Sequence, residues 1–347
     1  MDIKNQKNKK TIKIVLCVVV AIIAVVIIGA ILFFNGILNK INKFGENDDS
    51  LMDPSYASMP TAEEIPVPTL DPYDFESMFP GEEPIGGEII NIMLVGQDTI
   101  DPNYRGLSDT MILISVNPEN KKLVMTSFMR DSYIDIVALS GTGVYKARLN
   151  TAYCTGGIDQ LSDTLAYNFG VEIDNFVEVD FKAFRTIVDT LGGIDIELTE
   201  AEYNHMKYIL KLDVQEGMNH MGGKEALAYA RIRKIDSDFY RTERQRRVIN
   251  EILKHVKDCS ILEILDLAET VFPLVTTDMS NKDITKYIIQ LVPLLKDLEV
   301  ETLRIPIDGS WTGINAGTEE APKYVLEILD LEANRVAIRE AIGISED

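Results

Sequence analysis

The chain is poor in the residues that staple, chelate or relay protons at neutral pH: three cysteines, three histidines and one tryptophan in 347 residues. Cys17 falls in an apolar run near the N-terminus, leaving Cys154 and Cys259. A domain of this size builds its own core and has no need of a disulfide, and the cysteines show no metal-ligand spacing. Lysine and arginine are scarce too, 34 against 55 Asp and Glu, for a net charge of −21. So acidic a protein is a poor general binder of nucleic acid, whose phosphates select basic surfaces. Internal repeats are absent, so an array or solenoid is not expected.

What basic charge there is lies in two places. Lys4, Lys7, Lys9, Lys10 and Lys13 precede an uncharged apolar run over 14–34, long enough to cross a hydrocarbon core of roughly 30 Å. A cleavable signal peptide would have an apolar core of only about 7–15 residues and a small-residue cleavage site. This run is longer, and Phe33-Phe34-Asn35-Gly36 offers no such site, so one uncleaved membrane helix is expected. The lysines place residues 1–13 in the cytoplasm and everything after Phe34 outside. Residues 35–87 follow, with Pro54, Pro60, Pro66, Pro68, Pro72, Pro80 and Pro84 among acidic residues, an extended extracytoplasmic tether. The domain itself is expected over 88–347.

Apolar runs at 89–95, 111–116 and 123–128 have strand length and β-branched content. Further strands are expected at 176–179, 194–198 and 300–305. Helices are expected over 157–169, 181–191, 224–229, 241–257, 261–274, 283–298 and 320–329. Alternation of this kind gives an α/β fold, a single mixed-sheet domain flanked by helices.

The second basic place is Arg231–Arg247, RIRKIDSDFYRTERQRR. Clustered arginines in an acidic protein point to a bound anion, because the guanidinium fork pairs bidentately with phosphate or carboxylate oxygens. The alternative is a solvated helix face. A helix starting near Arg241 puts Arg241, Arg244, Gln245 and Val248 on one stripe, and Val248, Ile249, Ile252, Leu253 and Val256 on its core side, so Arg241 should face a cleft. Arginine in a first turn opposes the helix dipole, a penalty that an anion bound there reverses. Arg231 and Arg233, two apart, feed the same place, with Asp238 at the helix entrance as a cap. Elsewhere, one strand runs into Asp98, the next is preceded by Arg105 and Asp109, and a third ends in Arg130-Asp131. Ligands of α/β sheets gather beyond such strand ends, and Asp98 with Asp109 would hold one hard cation. Either aspartate read alone is equally a turn or cap residue.

Taken in order, Asp98, Arg105 with Ser108-Asp109-Thr110, Phe128-Met129-Arg130-Asp131, Arg148-Leu149-Asn150 with Ala152-Tyr153, Arg231-Ile232-Arg233, and Asp238-Phe239-Tyr240-Arg241-Thr242-Glu243-Arg244-Gln245 resemble the LytR–CpsA–Psr family over a motif core of 89–256. Its members are membrane-anchored phosphotransferases of mainly Gram-positive bacteria. The resemblance implies transfer of a glycopolymer, of teichoic acid or capsular polysaccharide type, from a polyprenyl-pyrophosphate carrier to a peptidoglycan sugar hydroxyl. It implies Mg²⁺ or Mn²⁺ on Asp98 and Asp109, pyrophosphate contacts from Arg105, Arg130, Arg231, Arg233 and Arg241 with Gln245 nearby, support from Asp238, and an apolar tunnel for the lipid. Its Lys-x-Asn lysine is replaced here by Arg148, and either Lys146 or Arg148 supplies that cation. The general base is Asp131 or Asp109, and Asp131 is preferred because a metal-bound carboxylate is a weak base. A lipid-pyrophosphate hydrolase and a non-catalytic lipid-glycan sensor would carry a similar anion site. Residues 258–347 show no chemical motif and are expected to complete the core.

Overall fold

A computed structural model describes residues 42–43, 89–97, 108–141, 143–259, 263, 267, 269–291, 294, 296–317 and 323–344. The expected membrane span at 14–34, most of the tether, and the candidate residues Asp98 and Arg105 lie outside them. No helix among the described residues is long and apolar enough to cross a membrane.

The largest sheet has seven strands in the order β1-β10-β7-β2-β3-β4-β11. They are β1 (Asn42–Lys43), β2 (Ile90–Gln97), β3 (Ser108–Asn117), β4 (Lys122–Phe128), β7 (Asn175–Val179), β10 (Val275–Thr277) and β11 (Glu299–Ile305). The β2-β3-β4 meander is antiparallel, whereas β7 and β11 join it in parallel, at β2 and β4 respectively. Both faces are covered, which is why these segments read as unbroken apolar runs. Met93, Val95, Met111, Leu113 and Phe128 face one core, and Ile90, Ile112, Val116 and Met125 face another. Period-two geometry alone divides them.

The first core is closed by α1 (Asn150–Phe169) and α7 (Leu331–Ile342), through Leu161, Leu165, Phe169, Ile338 and Ile342. Gly157 (φ 66°, ψ −150°) kinks α1, so the helix begins well before the segment expected from its periodicity. The second core is covered by α5 (Asp238–Asp258) and α6 (Asn281–Leu291), through Ile249, Leu253, Tyr287 and Leu291. A smaller third core lies beside the sheet. There α2 (Phe181–Thr190), α3 (Glu200–Asn204), α4 (Gly223–Ala230) and the hairpin β8 (Ile194–Leu198) and β9 (Gly217–Met221) bury Val188, Ile196, Met206, Tyr229 and Val248. At Gly223 a Cβ would lie 2.2 Å from the Arg185 carbonyl oxygen, so α4 meets α2 backbone to backbone.

The mixed α/β class holds, and the strands are divided among more than one sheet. A second, four-stranded sheet runs β12-β13-β5-β6, from β5 (Ser132–Val137), β6 (Val144–Arg148), β12 (Trp311–Asn315) and β13 (Tyr324–Ile328). β13 replaces the helix expected at 320–329. Its Tyr-Val-Leu-Glu-Ile is rich in strand-favouring residues, and pairing with β12 and β5 decides the matter. The helix expected over 283–298 ends at Leu291. Residues after 258 do complete the core, through Ile305, Ile338 and Ile342. Cys154 and Cys259 are free thiols.

Candidate functional site

At the carboxyl end of β2 and the start of β3, the main sheet faces α2, α4 and α5 across a cavity of about 220 Å³. Its walls are apolar: Leu94, Val179, Phe184, Ile187, Leu227, Val248, Ile249 and Ile252 line it, while Asp109, Arg231, Arg241 and Gln245 bring polar groups to it. Gln97, the last described residue before Asp98, also lines it. An apolar pocket with a few convergent polar groups is the usual form of a ligand site.

Asp109 is the hub of the charged cluster. Arg130 donates to its Oδ1 at 2.6 Å, Arg233 donates to Oδ2, and Arg241 reaches its backbone carbonyl with Oδ1 at 3.7 Å. Burial alone would raise the Asp109 pKa, but the charges of Arg241, Arg130 and Arg233 outweigh it and hold the carboxyl below its ordinary value. Asp238 accepts from Arg241 at 2.8 Å and lies 3.6 Å from Arg130 Nε. Burial, the dominant influence on Arg130, acts to lower its pKa, yet Asp238, Asp131 and Asp109 together raise it. For Arg241 burial prevails over Asp238 and Asp109 and lowers its value. Asp131 sits 3.4 Å from Arg130 Nε and accepts from Arg148 at 3.3 Å. Arg130 Nε and the nearby Ser108 hydroxyl are buried without a hydrogen-bond partner among the described residues, an incompleteness that a bound polar ligand would satisfy.

The structure thus brings together Asp109, Arg130, Asp131, Arg148, Arg233, Asp238 and Arg241, with Gln245 and Arg231 on the cavity wall. Arg231 lays its guanidinium 4.2 Å from the Phe181 ring centroid. Lys146 is not among them. It points to Asp135 at 3.4 Å and is 54% exposed, so of the two candidate cations only Arg148 reaches the cluster. Asp238 is not the helix cap either. Ser237 occupies that position without a side-chain cap bond, leaving the Asp238 carboxylate to the arginines. The stripe expected to hold Arg241, Arg244, Gln245 and Val248 divides. Gln245, Val248 and Ile252 follow Arg241 into the cavity, while Arg244, about 60° back around the helix, is buried against Glu202 (2.8 Å), Asp236 and the Ile232 carbonyl.

The residues that frame the cavity from α2 and α4 were not singled out from sequence; only the amphipathic spacing of Phe181, Phe184 and Ile187 signalled them. The sequence also gave no sign of a stack on the far side of the cluster. There Phe239 has Arg304 at 4.4 Å from its ring centroid and Trp311 at 4.8 Å between centroids.

Among the described residues no group of three or more His, Cys, Asp and Glu side chains is placed to cage a metal ion. An open set of one or two carboxylates plus ligand phosphates is nevertheless the donor chemistry that Mg²⁺ accepts, and Asp109 fits it.

Comparison with known proteins follows the same outline. A family model described as the LytR_cpsA_psr family matches residues 76–330. The polyisoprenyl-teichoic acid–peptidoglycan teichoic acid transferase TagU of Bacillus subtilis (strain 168) is 36% identical over 193 residues, 55% of this chain and 60% of that protein. A structure of TagT bound to LIIa-WTA superposes with a TM-score of 0.59 at 26% identity, over 77% of this chain and 95% of that one. The structure of TagT with bound octaprenyl pyrophosphate lipid, at 24% identity and a TM-score of 0.55 over 77% of this chain and 95% of that one, shares the fold. The chain spans between 46% and 61% of the length of the first curated relatives it matches.

Proposed function

The chain belongs to the LytR_cpsA_psr family, and from that premise we propose that it transfers a teichoic-acid-type or capsular glycopolymer from a polyprenyl-pyrophosphate carrier to a peptidoglycan sugar hydroxyl. One observation carries this reading: an apolar cavity opens directly onto a carboxylate ringed by arginines. A lipid pyrophosphate has that same bipartite chemistry. Its isoprenoid tail would occupy the space between Leu94, Phe184, Ile187, Leu227 and Ile252, gaining roughly 25 cal/mol for each Å² taken from water. Its charge would meet Arg130, Arg231, Arg233 and Arg241, with Arg105 as a further donor.

Phosphoryl transfer asks the protein for position and charge neutralisation more than for covalent help. The acceptor hydroxyl oxygen bonds to the phosphorus that carries the glycan, and the bond from that phosphorus to the bridging oxygen breaks. The electron pair leaves with the polyprenyl phosphate. Guanidinium groups fixed before the reaction stabilise that departing charge without reorganising. The hydroxyl proton needs a base. Asp109 is poorly suited, since three arginines hold its pKa down; Asp131, at the rim of the cluster, takes that role. Asp109, with Asp98, would hold Mg²⁺ or Mn²⁺, which would supply additional neutralisation of the pyrophosphate. Membrane attachment through the run at 14–34, with the domain outside the cell, would put the site where the carrier lipid and the wall meet.

The test uses the full-length chain in detergent with a lipid-pyrophosphate glycan, peptidoglycan oligomers and Mg²⁺, with products followed by mass spectrometry. Glycan–peptidoglycan conjugate that disappears with EDTA or in Asp98→Ala is the expected result. Free glycan phosphate as the sole product would replace transfer by hydrolysis, and unchanged bound lipid would replace it by sensing.

A further inference from the structure

The transferase reading says where the lipid and its phosphates lie and leaves the acceptor without a place. The strand order supplies one. Across the main sheet, β7, β2 and β3 border the cavity, Asp109 on β3 and Arg130 just after β4 form the charged cluster, and β11 follows next. Arg304 lies on β11, in register with Ser127 of β4. Neighbouring strands are about 4.8 Å apart, so the cavity, the cluster and Arg304 succeed one another along one line.

Helix α5 crosses that line and presents different flanks to its two ends. Arg241, Gln245, Val248 and Ile252 turn to the cavity. Phe239, two residues before Arg241 and so about 160° around the axis, turns the other way, as does Thr242, whose hydroxyl reaches Met129 Sδ at 3.3 Å. On that flank Phe239 contacts both the Arg304 guanidinium and the Trp311 indole, whose rings are inclined at 31°. Trp311 is half-buried, and its stacking partner Phe239 adjoins Asp238 of the cluster on α5. The strand that carries its partner is tied to the reacting end: Trp311 pairs with Ile328 on β13, and the Leu326 amide of β13 donates to the Asp131 carbonyl at 2.9 Å.

Displacement at phosphorus runs roughly in line, with the attacking and leaving oxygens on opposite sides. The leaving oxygen belongs to the lipid phosphate and points to the cavity, so the attacking hydroxyl must come from the β4–β11 side. We propose that Trp311, seated on Phe239 and steadied by Arg304, is the platform on which a sugar ring of the peptidoglycan acceptor stacks, bringing its hydroxyl to the glycan-bearing phosphorus beside Asp131. Sugar rings carry faces of C–H groups that pack on an aromatic surface, while their rims are hydroxyl-rich. Arg304 and its ion-pair partner Asp308, which is 91% exposed, lie where such a rim would find donors and acceptors. Trp311 binds the acceptor, Phe239 is a positioning residue that acts through it, and neither takes part in the proton or phosphoryl movement.

The inference rests on the transferase reading, and the experiment separates the two. Trp311 is the single tryptophan of the chain, so its emission reports the platform alone. Titrating the full-length protein with a soluble peptidoglycan disaccharide or tetrasaccharide should shift or quench that emission and saturate. In conjugation assays Trp311→Ala should raise the KM for acceptor about tenfold (about 1.4 kcal/mol), leave the KM for the lipid donor and the kcat at saturating acceptor unchanged, and be largely rescued by Trp311→Phe. Thermal unfolding of each variant identifies one that has merely lost its fold, and wild-type fluorescence and Trp311→Phe then decide. An emission that saccharide leaves unmoved, or wild-type conjugation with an acceptor KM that Trp311→Ala does not change, overturns the platform. Absence of conjugate from the wild type is a different result and sinks the transferase reading itself.

Discussion

Arg241 and Arg244 lie less than one turn apart on α5, are each 2% exposed, and end in opposite circumstances. Arg244 is closed: Glu202, Asp236 and the Ile232 carbonyl take its donors inside the smaller core. Arg241 is open: it shares Asp109 with Arg130 and Arg233, leans on Asp238, and borders an apolar cavity. Burial is alike for the two residues, but on Arg241 it prevails and lowers the pKa, whereas Asp236 and Glu202 overcome it on Arg244 and raise the pKa. What separates them is whether the arrangement is finished without a ligand, and that distinguishes a structural arginine from one that works.

The largest expected effect breaks the closed end. Arg244→Ala strands the buried Glu202 carboxylate and removes a partner from the partly exposed Asp236, and losing one partner of a buried ion pair costs about 3–5 kcal/mol. Urea unfolding should show that loss, and the protein that stays folded should still form conjugate. At the open end, Arg241→Ala should lower transfer about 10²–10³-fold, the scale of removing one preorganised donor from a transition state. Its cost in stability should stay near 1–2 kcal/mol, since Arg130 and Arg233 still hold Asp109. Should Arg241→Ala unfold the protein while Arg244→Ala abolishes only transfer, the comparison is inverted and the site is misplaced.

Acid sharpens the difference. The folded Asp109 pKa lies below 3.8, so the stability its charge contributes is complete above about pH 4 and is lost as pH falls through the folded value. Thermal unfolding of the wild type and Asp109→Asn from pH 7 to pH 2 should converge in that acid window. Their difference should stay constant above it. The smallest effect belongs to Lys146. Its exposed pairing with Asp135 is worth at most about 1 kcal/mol, so Lys146→Ala should change neither melting temperature nor transfer appreciably. Arg148→Ala, which strips Asp131 of a partner, should slow transfer measurably in the same assay.

Several elements were legible because a local pattern sufficed. The runs that became β2, β3 and β4 are apolar throughout, and the apolar stripe of α5 is visible in its spacing. Asp109, Arg130, Arg233, Asp238 and Arg241 were found as charged residues at strand and helix ends, where α/β ligand sites gather. Other features had no local signal. Tyr324–Ile328 resembled a helix until two strands flanked it, and β5 and β6 are short enough to pass as loop. Arg244 looked equivalent to Arg241 because three- and four-residue spacings share one face of an isolated helix. Only the tertiary placement of Glu202 on α3, together with Ile232 and Asp236 before α5, turns one of them away.

The sequence by itself determined the charge contrast, the apolar runs, the order of the motifs and the residues that enter the chemistry, since each depends on side-chain type and spacing along the chain. Tertiary structure decided which arginine is spent on the fold and which is left for a ligand, which of Lys146 and Arg148 reaches the cluster, and that Arg304, Phe239 and Trp311 meet. Those outcomes depend on contacts between segments tens to hundreds of residues apart, and free energies of pairing and burial are set by what surrounds a group in space.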